Sequence, residues 1–532
     1  MEFSNLVDKA NIAFQNNKIY ESIKLFDQAL KLNPTSFDVC YKLALLTFQV
    51  GDLKNSINFF EKTLLLNPKS SLAYSNLGLI YSKLNNKKLA LHNYLKSYEI
   101  NPNNFTLNYN LGSFYFSNND YKNSEKHFKL AIQLNPQNFF SYNNLFQLYD
   151  RSNNFEKLEA IFDQILKLFG RTTEVQFLEG NLKYKKKKYK DTIKILKNLE
   201  FDKRDYQKNI LKNNILAKCY DEVGSYSEAY DCYYTSNQLT ESVFKNKFDK
   251  KKFNDRIIYR LNSISNMQRK LSFNKETYDQ RDDPVFLIGF PRSGTTLLDT
   301  ILRTHLSIEV IEEELIVLNL IEKLNNYIHN NLLNLNSINR KEIKQLRDYY
   351  FNERELLVGY KEKIIYIDKL PLNIIYLAEL NKIFPNAKFI FALRNPHDVI
   401  LSCFMQPFLP NDAMSNFYNL EDAYEFYDLV MTLWENYTQI LNINIHEVKY
   451  EDVVNNFDYT IKQLLKFLGT NWIEEVKNFY LTASKRGIIN TPSYNQVNSP
   501  IYNKSINRWK NYHDKFSKID LKLQNWTKKF KY

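Results

Sequence analysis

An Asn-Pro pair recurs every 34 residues, at Asn33-Pro34, Asn67-Pro68, Asn101-Pro102 and Asn135-Pro136. A fixed period of this length means that one supersecondary unit is copied, and that each copy buries its apolar face only against its neighbours. In register with the pair, a Leu recurs at Leu43, Leu77, Leu111 and Leu145, and small residues follow it at Ala44, Gly78 and Gly112. Aromatic residues keep the same period at Phe26, Phe60, Tyr94, Phe128 and Phe162. The pattern predicts two antiparallel helices per unit. Proline cannot continue a helix ladder and disfavours helix in the residue before it, so Asn-Pro ends the second helix of each unit.

These columns resemble tetratricopeptide repeats. Five units span residues 1–170, and two looser ones are expected at 171–205 and 206–240, where Tyr189-x-x-Thr192 and Tyr226-x-x-Ala229 keep part of the pattern. An all-α solenoid over 1–240 is therefore expected, followed by a helical connector over 241–283, which is charged and lacks Pro and Gly, and a second domain over 284–532. Asn76, Asn110 and Asn144 form one more column 34 residues apart, broken by Lys42 in the preceding unit. In the similar superhelix of O-linked N-acetylglucosamine transferase an Asn at this place lines the groove and bonds peptide backbone. The resemblance thus implies a protein or peptide acceptor held on the concave face. An Asn-rich composition, helix packing or self-assembly would give the same column.

The second domain announces itself at Val285-Phe-Leu-Ile-Gly-Phe290, an apolar run that reads as a buried parallel strand. Pro291 and Gly294 turn the chain, and Thr295-Thr296-Leu297-Leu298 opens an amphipathic helix. Strand, glycine-containing loop and helix start make an anion cradle: the first helical N–H groups lack carbonyl partners and the helix dipole favours negative charge there. Arg292, Ser293, Gly294, Thr295 and Thr296 are the residues that would hold such an anion. Gly289 and Gly294 have the spacing of a nucleotide-triphosphate loop, but Thr295 stands where that loop has its Lys. This leaves the element poorly equipped for ATP hydrolysis. A second apolar run, Lys388 to Leu393, ends on Arg394, with Ser402 eight residues further on. Open α/β sheets bind ligands at the carboxyl ends of their strands.

The Pro291-Arg-Ser-Gly-Thr-Thr296 loop resembles the 5′-phosphosulfate loop of sulfotransferases, and Arg394 with Ser402 resembles the pair that holds the donor's 3′-phosphate. From Pro284 to about Trp509 the chain is similar to the protein-tyrosine sulfotransferase branch, in a form fused to tetratricopeptide repeats. Asp368-Lys369-Leu-Pro371 resembles the N-K-D-P element of that branch, although Leu370 stands where Asp is frequent. Val448-Lys-Tyr450-Glu-Asp452 resembles the strand whose Tyr contacts the donor, and the stretch from Ser493 to Arg508-Trp509 resembles a late closing loop. The resemblance implies a P-loop-like α/β domain with a central parallel sheet. It also implies sulfuryl transfer from 3′-phosphoadenosine 5′-phosphosulfate (PAPS) to an acceptor hydroxyl, tyrosine first among them, with a sugar, lipid or small molecule as the alternative.

In that scheme Glu313 is the base, with Glu312 as the second choice within Glu312-Glu313-Glu314. Arg292 and Lys369 absorb charge on the transferring group, and Ser493 donates to the bridging oxygen. Arg394 and Ser402 hold the 3′-phosphate, and Tyr450 and Arg508 complete the donor site. The scheme requires no metal, and the seven His and four Cys show no ligand spacing. His305 and His397 lie near the motifs, and a His is the base in other sulfotransferase branches, but a Glu already matches the base position. Other readings stay open: a P-loop kinase or ATPase, and a repeat scaffold carrying an inactive transferase domain.

The formal net charge is +13. Lys is scattered and no nucleic-acid module is recognisable, so the positive field suits a multiply anionic donor better than nucleic acid. No apolar stretch reaches membrane-spanning length and the first residues lack a secretory leader pattern, so no membrane span is expected. Four unpatterned cysteines suit a reducing compartment, which makes the cytoplasm the expected location. Isolated sulfotransferase domains often pair, which leaves a homodimer open.

Overall fold

The computed structural model describes residues 2–267, 278–485, 501 and 503–532. The chain divides into two compact units, Met1–Leu182 and Lys183–Tyr532.

The first unit is a stack of helix pairs, from Glu2–Gln15 with Ile19–Leu32 to Phe139–Arg151 with Phe155–Phe169. The period is written into the helix ends as well as the core. Ser36, Ser70, Asn104 and Asn138 cap the first helix of successive pairs, each side chain accepting a backbone N–H of the first turn. Asp52, Asn86, Asp120 and Asn154 cap the second helix in the same way. Between the paired helices the backbone turns left-handed at Asn17, Gly51, Asn85, Asn119 and Asn153, conformations that Asn and Gly tolerate best. Much of the Asn content therefore sits where the backbone needs it. The small-residue column has an equally direct cause: a Cβ on Gly78 would lie 2.6 Å from the ring of Tyr94, and one on Gly112 2.5 Å from that of Phe128. The side chains of Asn76, Asn110 and Asn144 are all half-buried. Asn76 donates to the carbonyl of Leu72 at 2.8 Å and to the Tyr41 hydroxyl at 3.2 Å.

The second compact unit begins at Lys183, within the helix-pair pattern. Helices Tyr206–Glu222 and Tyr226–Phe244 keep the helix-pair form, but they bury their apolar side with the sheet. Ala217, Ala229 and Tyr233 share one core with Phe286, Ile288 and Phe391. Asn237 donates to the carbonyls of Phe404 (2.9 Å) and Phe417 (3.4 Å), and Tyr230 stacks on Phe404 with ring centroids 4.9 Å apart. The connector carries one further helix, Lys250–Met267, whose Ile257 and Ile264 enter the same core and whose Arg260 pairs with the buried Glu379.

Five parallel strands form the sheet: β1 (Val285–Gly289), β2 (Ile308–Glu312), β3 (Ile365–Lys369), β4 (Lys388–Leu393) and β5 (Asn444–Lys449), in the order β2-β3-β1-β4-β5. Alternate residues feed opposite faces. Phe286, Ile288, Phe389 and Phe391 enter one core, while Val285, Leu287, Ile390 and Val448 enter the other. A sheet covered on both faces has near-continuous apolar strands, which is why β1 and β4 stand out in the sequence. The segment between β2 and β3 is helical, with Ile316–Tyr327 and Arg340–Val358. A helix Asp520–Lys529 closes the domain, after a kinked 3-10 stretch Arg508–Phe516.

Candidate active site

All five strands end on the same edge, and every strand end contributes a residue. β1 runs into the loop carrying Arg292 and Ser293. β2 ends on Glu312 and is followed by Glu313. β3 ends on Lys369, β4 is followed by Arg394, and β5 by Tyr450.

The loop after β1 is built as its residues require. Gly294 is left-handed (φ +97°) and caps helix Thr295–Leu302, and a Cβ there would lie 3.0 Å from the ring of Tyr450. Arg292 is also left-handed (φ +69°), as is Glu313 (φ +55°). Non-glycine residues held in this region are strained and cluster at functional sites. Arg292 Nε donates to Ser402 Oγ at 3.0 Å, and Arg394 Nη1 donates to the backbone carbonyl of Arg292 at 3.2 Å. Arg394 Nη2 donates to the carbonyl of Ser505 at 2.6 Å, and its guanidinium lies 4.9 Å from the centre of the Tyr450 ring. Arg292, Gly294, Arg394, Ser402 and Tyr450 therefore converge on the tips of β1, β4 and β5, with Ser293 and Thr295 buried beside them.

A second cluster lies at the tips of β2 and β3. Lys369 is fully buried, and its ammonium sits 2.8 Å from Glu313 Oε1, 3.4 Å from Glu312 Oε1 and 3.8 Å from Asp299 Oδ2. The Glu313 N–H donates to the Lys369 carbonyl at 2.8 Å, which fixes the turn after β2. Arg303 joins from helix Thr295–Leu302, bonding Asp299 at 2.8 Å and approaching Glu312 at 3.9 Å. The acidic triplet is thus divided: Glu312 is mostly buried in this ion cluster, while the Glu313 side chain remains 39% exposed. Glu309 instead faces Lys361, at 2.9 Å.

Behind Lys369, Asp368 is buried and accepts hydrogen bonds from Tyr350 Oη (3.2 Å) and Asn373 Nδ2 (3.4 Å). Burial, aided by the nearby Glu314 charge, pushes its carboxyl up to about 7 from an ordinary 3.8. The unfolded chain releases this proton near pH 4 and the folded chain near pH 7. The associated stability is therefore complete below about pH 4 and lost as pH rises through 7. Asp368→Asn, which cannot ionise, is expected to lie near the parent at pH 3.5 and to melt several degrees above it at pH 8. Parallel melting curves at the two pH values would refute this assignment.

Both histidines near the motifs are engaged by neighbouring groups. His305 Nδ1 accepts the Ser307 N–H at 3.1 Å, which leaves Nε2 to donate to the Asn471 carbonyl at 2.9 Å. His397 is buried, stacks on Trp509 with centroids 4.2 Å apart and meets Asp520 through Nε2 at 2.9 Å. Burial lowers its pKa. Arg508 Nη2 donates to Asp221 on helix Tyr206–Glu222 at 2.7 Å. Ser493 lies outside the described residues. Sequence reasoning missed Asp299, Arg303 and Asp398. Asp398, on helix Pro396–Phe404, is buried and accepts the backbone N–H groups of Asn507 (2.7 Å) and Trp509 (2.8 Å). The only local signal for it was its position four residues after Arg394.

Comparison with known proteins bears on both parts of the chain. The Sulfotransferase family pattern matches residues 284–474, and the Tetratricopeptide repeat pattern matches 4–36, 37–70, 72–104 and 105–138. The chain carries tetratricopeptide repeats and a sulfotransferase domain. An uncharacterised protein of Aquifex aeolicus (strain VF5) is 29% identical over 254 residues, which is 46% of this chain and 33% of that one. Protein-tyrosine sulfotransferase 1 of Danio rerio is 24% identical over 42% of this chain and 65% of its own length; protein-tyrosine sulfotransferase 2 of Gallus gallus is 23% identical over 44% and 64%. The matches thus span from a third to just under two thirds of these relatives. Among solved structures, a tetratricopeptide repeat protein from Parabacteroides merdae ATCC 43184 is similar at 16% identity, covering 46% of this chain and 96% of that one, with a TM-score of 0.39. No helix of the described residues is long and apolar enough to cross a membrane.

Proposed function

We propose that the sulfotransferase domain moves a sulfuryl group from PAPS to an acceptor hydroxyl, and that the acceptor is a tyrosine of a protein or peptide. The observation that carries this reading is the meeting of two anion grips at neighbouring strand tips: the loop after β1 and the Arg394–Ser402 pair after β4, joined by the Arg292–Ser402 and Arg394–Arg292 hydrogen bonds. The residues suit the donor. Gly294 leaves the start of helix Thr295–Leu302 open to an anion, and Arg394 Nε is buried without a hydrogen-bond partner among the described residues. A phosphate oxygen would satisfy that donor, which is otherwise expensive to bury.

Bound there, the donor would supply an activated sulfuryl group with a nucleotide phosphate as the leaving group. Arg394 and Ser402 would hold the 3′-phosphate, and the loop 292–296 the 5′-phosphosulfate. Tyr450, packed on Gly294, keeps the loop in shape. Arg292 and Lys369 would stabilise negative charge as it develops, a task of position and electrostatics. Glu313 would accept the proton of the acceptor hydroxyl, and Lys369 orients its carboxylate. Ser493 and Arg508 remain proposed donor-site residues, Ser493 for the bridging oxygen. The repeats support a protein acceptor or partner, since such stacks present extended binding surfaces. All four cysteines are free, which supports a reducing compartment such as the cytoplasm.

Calorimetric titration with adenosine 3′,5′-bisphosphate tests the donor, with ATP and Mg²⁺ as the control. Tight binding of the bisphosphate is expected. Preference for ATP would overturn the reading. Incubating the protein and sulfur-labelled donor with cell extract then tests the acceptor: label should enter protein, and label confined to small molecules would reject the tyrosine assignment.

A further inference from the structure

The segment Ser505–Trp509 touches the donor-binding arginine and is held from two sides. On the sheet side, the Ser505 carbonyl accepts from Arg394 Nη2 at 2.6 Å. Two residues on, the buried Asp398 carboxylate accepts the N–H groups of Asn507 and Trp509, while the Trp509 ring stacks on His397. Asn507 is left-handed (φ +58°) and precedes the kinked 3-10 stretch Arg508–Phe516. On the far side, Arg508 reaches Asp221 at 2.7 Å, and the same carboxylate accepts the Tyr512 hydroxyl. Tyr512 is fully buried, edge-on to Tyr226 of the next helix at 5.3 Å. Asp221 belongs to the last helix pair of the repeat pattern, 287 residues from Arg508. Without Asp221, the Arg508 guanidinium would lose its carboxylate partner, and the segment would lose the charged part of its outer anchor.

We propose that Asp221 is a positioning residue for the donor site: the last repeat-like helix pair holds segment 505–509, through Arg508, against Arg394 and so sets the affinity for the 3′-phosphate. The proposal rests on the donor reading given above. It explains why the helix pair 206–244 packs with the transferase, and it gives Arg508 a role that needs no contact with the nucleotide.

The test uses the full chain, adenosine 3′,5′-bisphosphate as probe, and Asp221→Asn, Arg508→Gln and the double variant, each checked by thermal melting. Each single change is expected to raise the dissociation constant about tenfold. The double variant should bind no more weakly than the worse single one, because both changes break the same link. Hydrogen exchange should quicken at 503–512 and stay unchanged in β1. Wild-type affinity in Asp221→Asn would overturn the proposal. So would additive losses in the double variant, which would put Arg508 on the nucleotide itself. If Asp221→Asn does not fold, Asp221→Glu takes its place; threefold or greater weakening is expected from the displaced carboxylate, and unchanged affinity overturns the proposal. Failure of the wild-type protein to bind the bisphosphate would instead reject the donor reading.

Discussion

Glu313→Gln is expected to cut sulfuryl transfer by roughly 10²- to 10⁴-fold, the usual contribution of a positioned base, while leaving bisphosphate affinity within about twofold. The reasons are geometric. Glu313 follows β2 in a left-handed turn, its N–H is tied to the Lys369 carbonyl at 2.8 Å, and its carboxylate rests 2.8 Å from the Lys369 ammonium. Of the acidic residues around Lys369 it is the one with a substantially exposed side chain, at 39% against 11% for Glu312 and 1% for Asp299. An acceptor hydroxyl can reach Glu313 more readily than the other two. Glu312→Gln should show the opposite signature, with lower thermal stability and a much smaller effect on transfer. Label transfer from sulfur-labelled donor measures both. If Glu313→Gln kept more than a tenth of the parental rate, the base would have to be sought elsewhere.

Lys369→Met is expected to lower stability by about 3–5 kcal/mol as well as to abolish most transfer. Methionine keeps the unbranched stem, one atom shorter, and carries no charge. Asp299, Glu312 and Glu313 would then face one another beside Arg303, which bonds Asp299 at 2.8 Å and lies 3.9 Å from Glu312. Removing one partner from a buried ion cluster is costly because the remaining charges stay desolvated. The expected drop in melting temperature is of the order of 10 °C, given ~2–4 °C per kcal/mol for domains of some 150–250 residues. Calorimetric melting decides it. A variant that melts with the parent would mean that the cluster is not desolvated, and one that also transfers normally would remove Lys369 from the chemistry.

How far the sequence led differed from element to element. The helix pairs were legible because their cues are local and repeated: Asn-Pro at each second-helix end, a packing Leu, and a small residue where Tyr94 or Phe128 presses in. β1 and β4 were legible because strands covered on both faces must be apolar throughout. Their following residues, Arg292 and Arg394, could then be placed at strand ends before any packing was known. Other features lacked any local cue. The helix pair 206–244 keeps the repeat form yet belongs to the second unit, because its apolar residues and Asn237 meet the sheet domain. Arg508 matched a family motif by position, but its guanidinium turned to Asp221. Asp398, Asp299 and Arg303 carry no motif and took on meaning only through the partners the fold brought to them.

Sequence alone determined the period, the apolar strands β1 and β4, and the residues Arg292 and Arg394 that come after them. All of these rest on interactions within a few residues or on a repeating pattern. Tertiary structure decided where the array stops, which carboxylate remains open to an acceptor, and what anchors segment 505–509. Those depend on contacts such as Arg292–Ser402, 110 residues apart, and Arg508–Asp221, 287 apart. Pairings at that distance arise from sheet order and from where apolar faces can be covered, and no short stretch of chain encodes either.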